Sequence, residues 1–202
     1  MPKNAILGAV WCVAALCAPA VATPIKTPPP TLIATGEITA VYIFANAGDT
    51  SFLNEVDPVL WSTIFCNHSR GACTASPTGD KKSLGVQNGP LVFSLQNITT
   101  GMTYLSNAPD AGGVYHAVFS TDYSTFGLGK LPSAAAAALV GLPSVTFVAW
   151  EDRDATNGSD FDYNDLVFAF SNTKAAVPEP LTLSLLGAGL AGTAALRRKK
   201  KN

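Results

Sequence analysis

Between residues 37 and 172 the chain is built from short runs of alternating apolar and polar residues, punctuated by Gly, Pro, Asn and Asp. EITAVYIFANAG, from Glu37, alternates so that Ile38, Ala40, Tyr42 and Phe44 share one face, which is the period of a strand. SFLNEVDPVLWSTIF is mixed and interrupted by Pro58. GPLVFSLQNITTGMTYLS predicts two strands hinged at Thr100-Gly101, and VYHAVFSTDY predicts another with Val114, His116 and Val118 on one face. PSAAAAALVG predicts the single helix, about two turns long, with Ser133 as N-cap and Gly141 as its stop. VTFVAW and LVFAF close the series as two core strands. Short strands at regular spacing predict an all-β fold, a single antiparallel β-sandwich of jelly-roll type with one short helix. Roughly 135 residues suffice for one such core.

Between the last two strands lies EDRDATNGSDFDYND, which carries six of the chain's fourteen acidic residues: Glu151, Asp152, Asp154, Asp160, Asp162 and Asp165. Arg153 is its only basic group, and Asn157-Gly158 marks a turn. Carboxylates so crowded repel unless water, hydrogen-bond donors or a cation screens them. A hydrated acidic loop, a hydrogen-bonded corner and a cation site are all open. Ca²⁺ fits the last, because it takes six to eight oxygen ligands. The EF-hand pattern does not fit, since Asp165 stands where its glycine belongs and Ser171 where its bidentate Glu belongs. The candidate ligands are Glu151, Asp152, Asp160, Asp162, Asn164 and Asp165. In an extended segment Asp160, Asp162 and Asn164 would face one way, and Phe161 and Tyr163 the other.

The ends of the chain are of another character. Residues 1–22 have a basic start at Lys3, an apolar run and a small-residue Ala20-Val21-Ala22 site, the pattern of a signal peptide removed by signal peptidase. Export makes Cys66 and Cys73 the only cysteines of the mature chain, and the reading is a disulfide closing a small loop. A soft-metal site with His68 is the alternative, but it lacks further ligands. Residues 23–36 form a Pro-rich spacer, residues 37–172 the sandwich, and residues 173–202 an anchor or sorting segment. In that last segment a mainly apolar run of sixteen residues follows Val177-Pro178-Glu179-Pro180 and precedes Arg197–Lys201. By the positive-inside rule the hydrophobic helix would keep those charges cytoplasmic and the body outside. Removing Lys3 and the five terminal basic residues from thirteen leaves seven positive charges against fourteen negative, which disfavours nucleic-acid binding.

The order Pro-Glu-Pro, hydrophobic helix, basic terminus resembles the PEP-CTERM sorting signal of Gram-negative bacteria. The resemblance implies recognition of Pro178, Glu179 and Pro180 by an exosortase, a membrane protease. It also implies a transient inner-membrane stage, then a destination at the surface or in an exopolysaccharide or biofilm matrix. EDRD…GSDFDYNDLVF resembles the closing motif of the domain of unknown function 4114 family, with Glu151, Asp152, Asp160, Asp162, Asn164 and Asp165 at matching positions. That resemblance implies an exported β domain with an acidic corner and no agreed activity.

The functional expectation is a non-enzymatic surface or matrix protein. A carbohydrate-binding module for the cell's own polysaccharide is the alternative, with Trp61, Tyr115, Tyr123 and Trp150 as stacking candidates whose commoner use is core packing. A glycoside hydrolase would need one raised carboxyl pKa, and this polar loop is expected to be too exposed to provide it. His68 and His116 are the mature chain's only histidines, and no nucleophile elbow, phosphate loop or zinc motif occurs.

Overall fold

The structure is a computed structural model that describes residues 23–56 and 61–176. The expected signal helix, the C-terminal helix and the Pro-Glu-Pro motif lie outside the described residues. Among the described residues, ten strands form two antiparallel sheets. The first is organised around β1 (Thr31–Ala45), which begins inside the Pro-rich stretch. β4 (Lys81–Leu91) runs along one edge of β1, while β10 (Thr173–Ala176) and β9 (Leu166–Phe170) share the other edge. β8 (Thr146–Trp150) and β7 (Ala117–Ser120) extend that sheet beyond β9. The second sheet has the order β3 (Trp61–Cys66), β2 (Ser51–Val56), β5 (Phe93–Asn97), β6 (Met102–Leu105). Gly101 turns β5 into β6 with φ of 78°, as the Thr100-Gly101 hinge predicts.

The two sheets close on an aromatic core. Phe168 stacks on Phe65 with ring centres 5.8 Å apart, and Tyr42 meets both rings edge-on. Phe93 stacks on Phe170 at 4.2 Å. Pairs of this kind add about 0.5–1.5 kcal/mol beyond their area burial. The outer face of the first sheet is also covered, by a second cluster that includes Val41, Ile43, Phe147, Val167 and Ala169 under the helix α1 (Ser133–Leu139). With both faces covered, β8 and β9 are buried throughout, and apart from Thr146 they are apolar rather than alternating.

Three local expectations are corrected. A register shift in β1 between Tyr42 and Phe44 sends Phe44 to the second cluster, away from Ile38, Ala40 and Tyr42. Pro132, not Ser133, stands at the N-cap of α1, without a side-chain cap. His116 precedes β7 and stacks on Tyr104 of the second sheet, whereas Val118 packs in the outer cluster. The helix also presses on the turn before β4. A Cβ on Gly79, whose φ is 86°, would lie 2.7 Å from the Ala134 carbonyl.

Cys66 and Cys73 are joined as a disulfide, with Cα atoms 6.3 Å apart. Phe168 is fully buried between the sheets, so Phe168→Ala should cost about 3–5 kcal/mol in urea denaturation. Val86→Ala, at a site 75% exposed, should stay within about 0.5 kcal/mol.

Candidate functional site

β8 and β9 pair directly, Trp150 opposite Leu166, so the acidic stretch leaves and re-enters the sheet at one point. It is folded on itself there. Asp154 caps a 3-10 turn, Ala155–Asn157, by accepting from the Thr156 and Asn157 amides, and Gly158 ends it with φ of 81°. The first two acids are pulled into the interior: Glu151 is 1% exposed and Asp152 is 2% exposed.

Two sets of contacts hold them. The Glu151 amide donates to the His116 carbonyl at 3.0 Å, and the Glu151 carbonyl faces His116 Nδ1 at 3.0 Å. His116 Nε2 stands 3.1 Å from Asp110, so both ring nitrogens are engaged. Asp152 is tied to the second sheet. Its carboxylate accepts from Ser51 Oγ at 3.0 Å, its carbonyl accepts from Asn97 Nδ2 at 2.8 Å, and its amide donates to Asp165 at 2.8 Å. Arg153 grips Asp49 with two bonds of 2.8 Å, and Asn97 Nδ2 also donates to Asp49 at 2.9 Å. The stretch's one cation is therefore spent on an acid outside it.

The remaining acids converge. Carboxylate oxygens of Glu151, Asp160 and Asp162 lie within 4.8 Å of one another. Two oxygens bound to one ion at about 2.4 Å can be no farther apart than about 4.8 Å, so this spacing suits a single cation. A cleft of about 290 Å³ opens beside them, lined by Gly48, Glu151, Asp152, Gly158, Asp160 and Asp165 among others. Glu151 Oε2 is buried there without a hydrogen-bond partner, although the carboxyl group as a whole lies beside Ser159 and Asp165. An anionic oxygen so placed is costly unless protonated or bound to a cation.

Of the six expected ligands the structure thus brings together Glu151, Asp160 and Asp162. Asp165 lines the same cleft, but one of its oxygens takes the Asp152 amide and its carbonyl takes the amides of Asn46 and Ala47. Asp152 belongs to the inter-sheet network. Asn164 binds Asp162 through its amide groups, and its side-chain oxygen is taken by Asn46 at 3.0 Å. Nor is the segment extended: Phe161 and Tyr163 each take φ of 55°, in the left-handed region. The alternation survives, because Tyr163 is buried and Phe161 packs against the outer cluster. The local pattern gave no sign of Asp49, Ser51 and Asn97, which sit at strand ends far along the chain.

Electrostatics follow burial. Glu151 is held above the ordinary carboxylate range first by burial and then by the charge of Asp165. Asp152 is raised by the same two causes. This overturns the expectation that the loop is too exposed to raise a carboxyl pKa. Asp162 is also raised, by burial ahead of the charges of Asp160 and Asp165. Asp49 is lowered, chiefly by its bonds from Arg153.

Fold and site together define a β-sandwich with a buried acidic corner. Residues 176–199 match the PEP-CTERM protein-sorting motif. The match supports an exported protein sorted by an exosortase. No curated protein and no solved structure matches the chain. The resemblance of the body to the domain of unknown function 4114 family therefore has no match behind it. Among the described residues no helix is long and apolar enough to cross a membrane.

The raised acids set a pH dependence for the cation-free protein. Their protonated forms are favoured by folding, so the unfolded state binds fewer protons and stability falls as pH rises. Asp49 works in the opposite sense, but its contribution is complete above the ordinary carboxylate range. Melting in EGTA should therefore drop by several degrees between about pH 5 and about pH 8. A melting point that rose over this interval would show that Glu151 and Asp152 ionise without cost.

Proposed function

We propose that this is a non-enzymatic surface or matrix protein whose acidic corner binds a divalent cation, Ca²⁺ by the chemistry of its donors. The observation that carries the cation is Glu151 Oε2, buried and without a partner beside Asp160 and Asp162. Three carboxylates offer hard oxygen ligands, and the site contains no imidazole or thiolate to favour zinc. The bound ion would replace the proton that burial otherwise keeps on Glu151. Association with exopolysaccharide follows only from the sorting signal's implication.

The alternatives fit less well. Of the stacking candidates whose side chains are described, Trp150 and Tyr123 are buried, so neither offers a sugar platform, and Tyr115 is half-buried. Glu151 has the raised pKa a glycosidic acid needs, yet its Oε2 is buried and no aromatic side chain lines its cleft to seat a sugar ring.

Calcium at one hundred times its Kd should stabilise the native state by about 2.7 kcal/mol, moving the melting point by several degrees. Asp162→Asn should shrink this response. Asp122→Asn, at an exposed 3-10 cap, should leave it intact, whereas Asp110 is unsuitable as a control because it contacts His116. Identical wild-type curves in EGTA and in millimolar Ca²⁺ would remove the cation from the account. Sorting is tested separately: changing Pro178 and Glu179 to Ala should leave full-length precursor in the inner membrane. Wild-type and mutant chains of the same size and location would dismiss it.

A further inference from the structure

We propose that cation binding and the docking of the N-terminal segment Thr23–Lys26 are one coupled event, an inference that rests on the cation reading above. The coupling lies in residues 160–163, where acids and aromatics alternate. Asp160 and Asp162 bring carboxylate oxygens to Glu151, while Phe161 and Tyr163 border the N-terminal segment in a hollow that Asp162 also lines.

The contacts on the aromatic side are specific. The Ile25 amide donates to the Tyr163 hydroxyl at 3.0 Å, and that hydroxyl donates to the Tyr115 carbonyl at 2.8 Å. The Tyr115 amide returns to the Ile25 carbonyl at 2.8 Å. Both backbone groups of Ile25 are thus held by one tyrosine pair, and its side chain packs with Phe161 in the outer cluster. Pro24 and Lys26 border a second hollow that Phe161 also lines.

The backbone makes the two sides interdependent. Phe161 and Tyr163 both adopt the left-handed conformation, which aromatic residues avoid, so the turn persists only when it is held on both faces. On the acid face three carboxyl groups lie within 4.8 Å, and without a cation the charges of Asp160 and Asp162 still repel, which favours opening the turn. Opening displaces Phe161 and Tyr163 with their neighbours, because adjacent residues share the same peptide planes. The Ile25 anchor then loses its hydroxyl. An ion between the acids closes the turn and seats the aromatics on the segment. By linkage, the docked segment must strengthen cation binding by the same factor. Extracellular calcium modules work at Kd values of about 10⁻⁴–10⁻³ M, so a site of that class would fasten the segment only after export.

Amide hydrogen exchange of the exported protein, resolved by NMR, tests this in EGTA and in millimolar Ca²⁺, with ion binding measured separately by calorimetry. The Ile25 and Tyr115 amides should exchange about tenfold more slowly with calcium, a typical coupling, while the amides of the β1–β9 ladder stay unchanged. Tyr163→Phe removes the hydroxyl without touching the ligands. It should leave Ile25 unprotected in both conditions and weaken calcium binding by a similar factor. Calcium that binds while Ile25 and Tyr115 exchange at unchanged rates overturns the coupling and leaves the site standing. Wild-type calcium affinity in Tyr163→Phe likewise overturns it. A calorimetric titration with no binding removes site and coupling together.

Discussion

The burial of two consecutive carboxylates at the end of β8 is the constraint around which this corner of the molecule is arranged. Glu151 and Asp152 follow Trp150, a fully buried residue in a strand with apolar neighbours on both faces, so the chain carries them inward before it can turn. Buried acids must be protonated, bonded or paired with a cation. Asp152 is bonded: Ser51, Asn97 and Asp165 serve its side chain, carbonyl and amide. Glu151 has its backbone fixed by His116, but one of its carboxylate oxygens is left without a partner. The difference between these neighbours separates a structural acid from a candidate ligand.

The same contacts bind the two sheets at this end of the sandwich. Asp49 and Ser51 enter β2, Asn97 leaves β5, and all three reach the connection between β8 and β9. Arg153 completes the network at Asp49. Its guanidinium is 41% exposed while Asp49 is 5% exposed, so the pair is half-screened, and its importance is geometric rather than a large gain in stability. The consequence for the acidic stretch is electrostatic. Arg153 lines the same cleft as Glu151 and Asp160, but its guanidinium is bonded to Asp49 and to neither of them.

Much of this was legible in the residues. Strand alternation and turn chemistry identify the sandwich, and the apolar runs on both sides of the acids locate them between two core strands. The cysteine pair follows from export. The alternation of Asp160, Phe161, Asp162 and Tyr163 separates the two faces of the segment even though its backbone is not extended. What local spacing could not assign is which acids meet. Asp152, Asn164 and Asp165 share the motif with the triad, but Ser51, Asn46 and the Asp152 amide hold oxygens of theirs outside it, and two of these three donors lie about a hundred residues away; Asp162 reaches the triad although Asn164 bonds both its oxygens. The register shift that diverts Phe44 is likewise set by pairing with β9, not by the sequence of β1. Burial of Glu151 and Asp152 came from the sheets closing over them, a tertiary effect that makes a polar stretch partly interior.

The central claim is that Glu151, Asp160 and Asp162 share one cation, and anomalous scattering tests it most directly. Crystals of the exported protein grown with Ca²⁺, then exchanged to Tb³⁺, would place the ion without reference to stability. The account predicts one strong peak among these three side chains, with carboxylate oxygens at about 2.3–2.6 Å in the calcium form. A corner holding only water, with Glu151 hydrogen-bonded as a neutral acid, would contradict it.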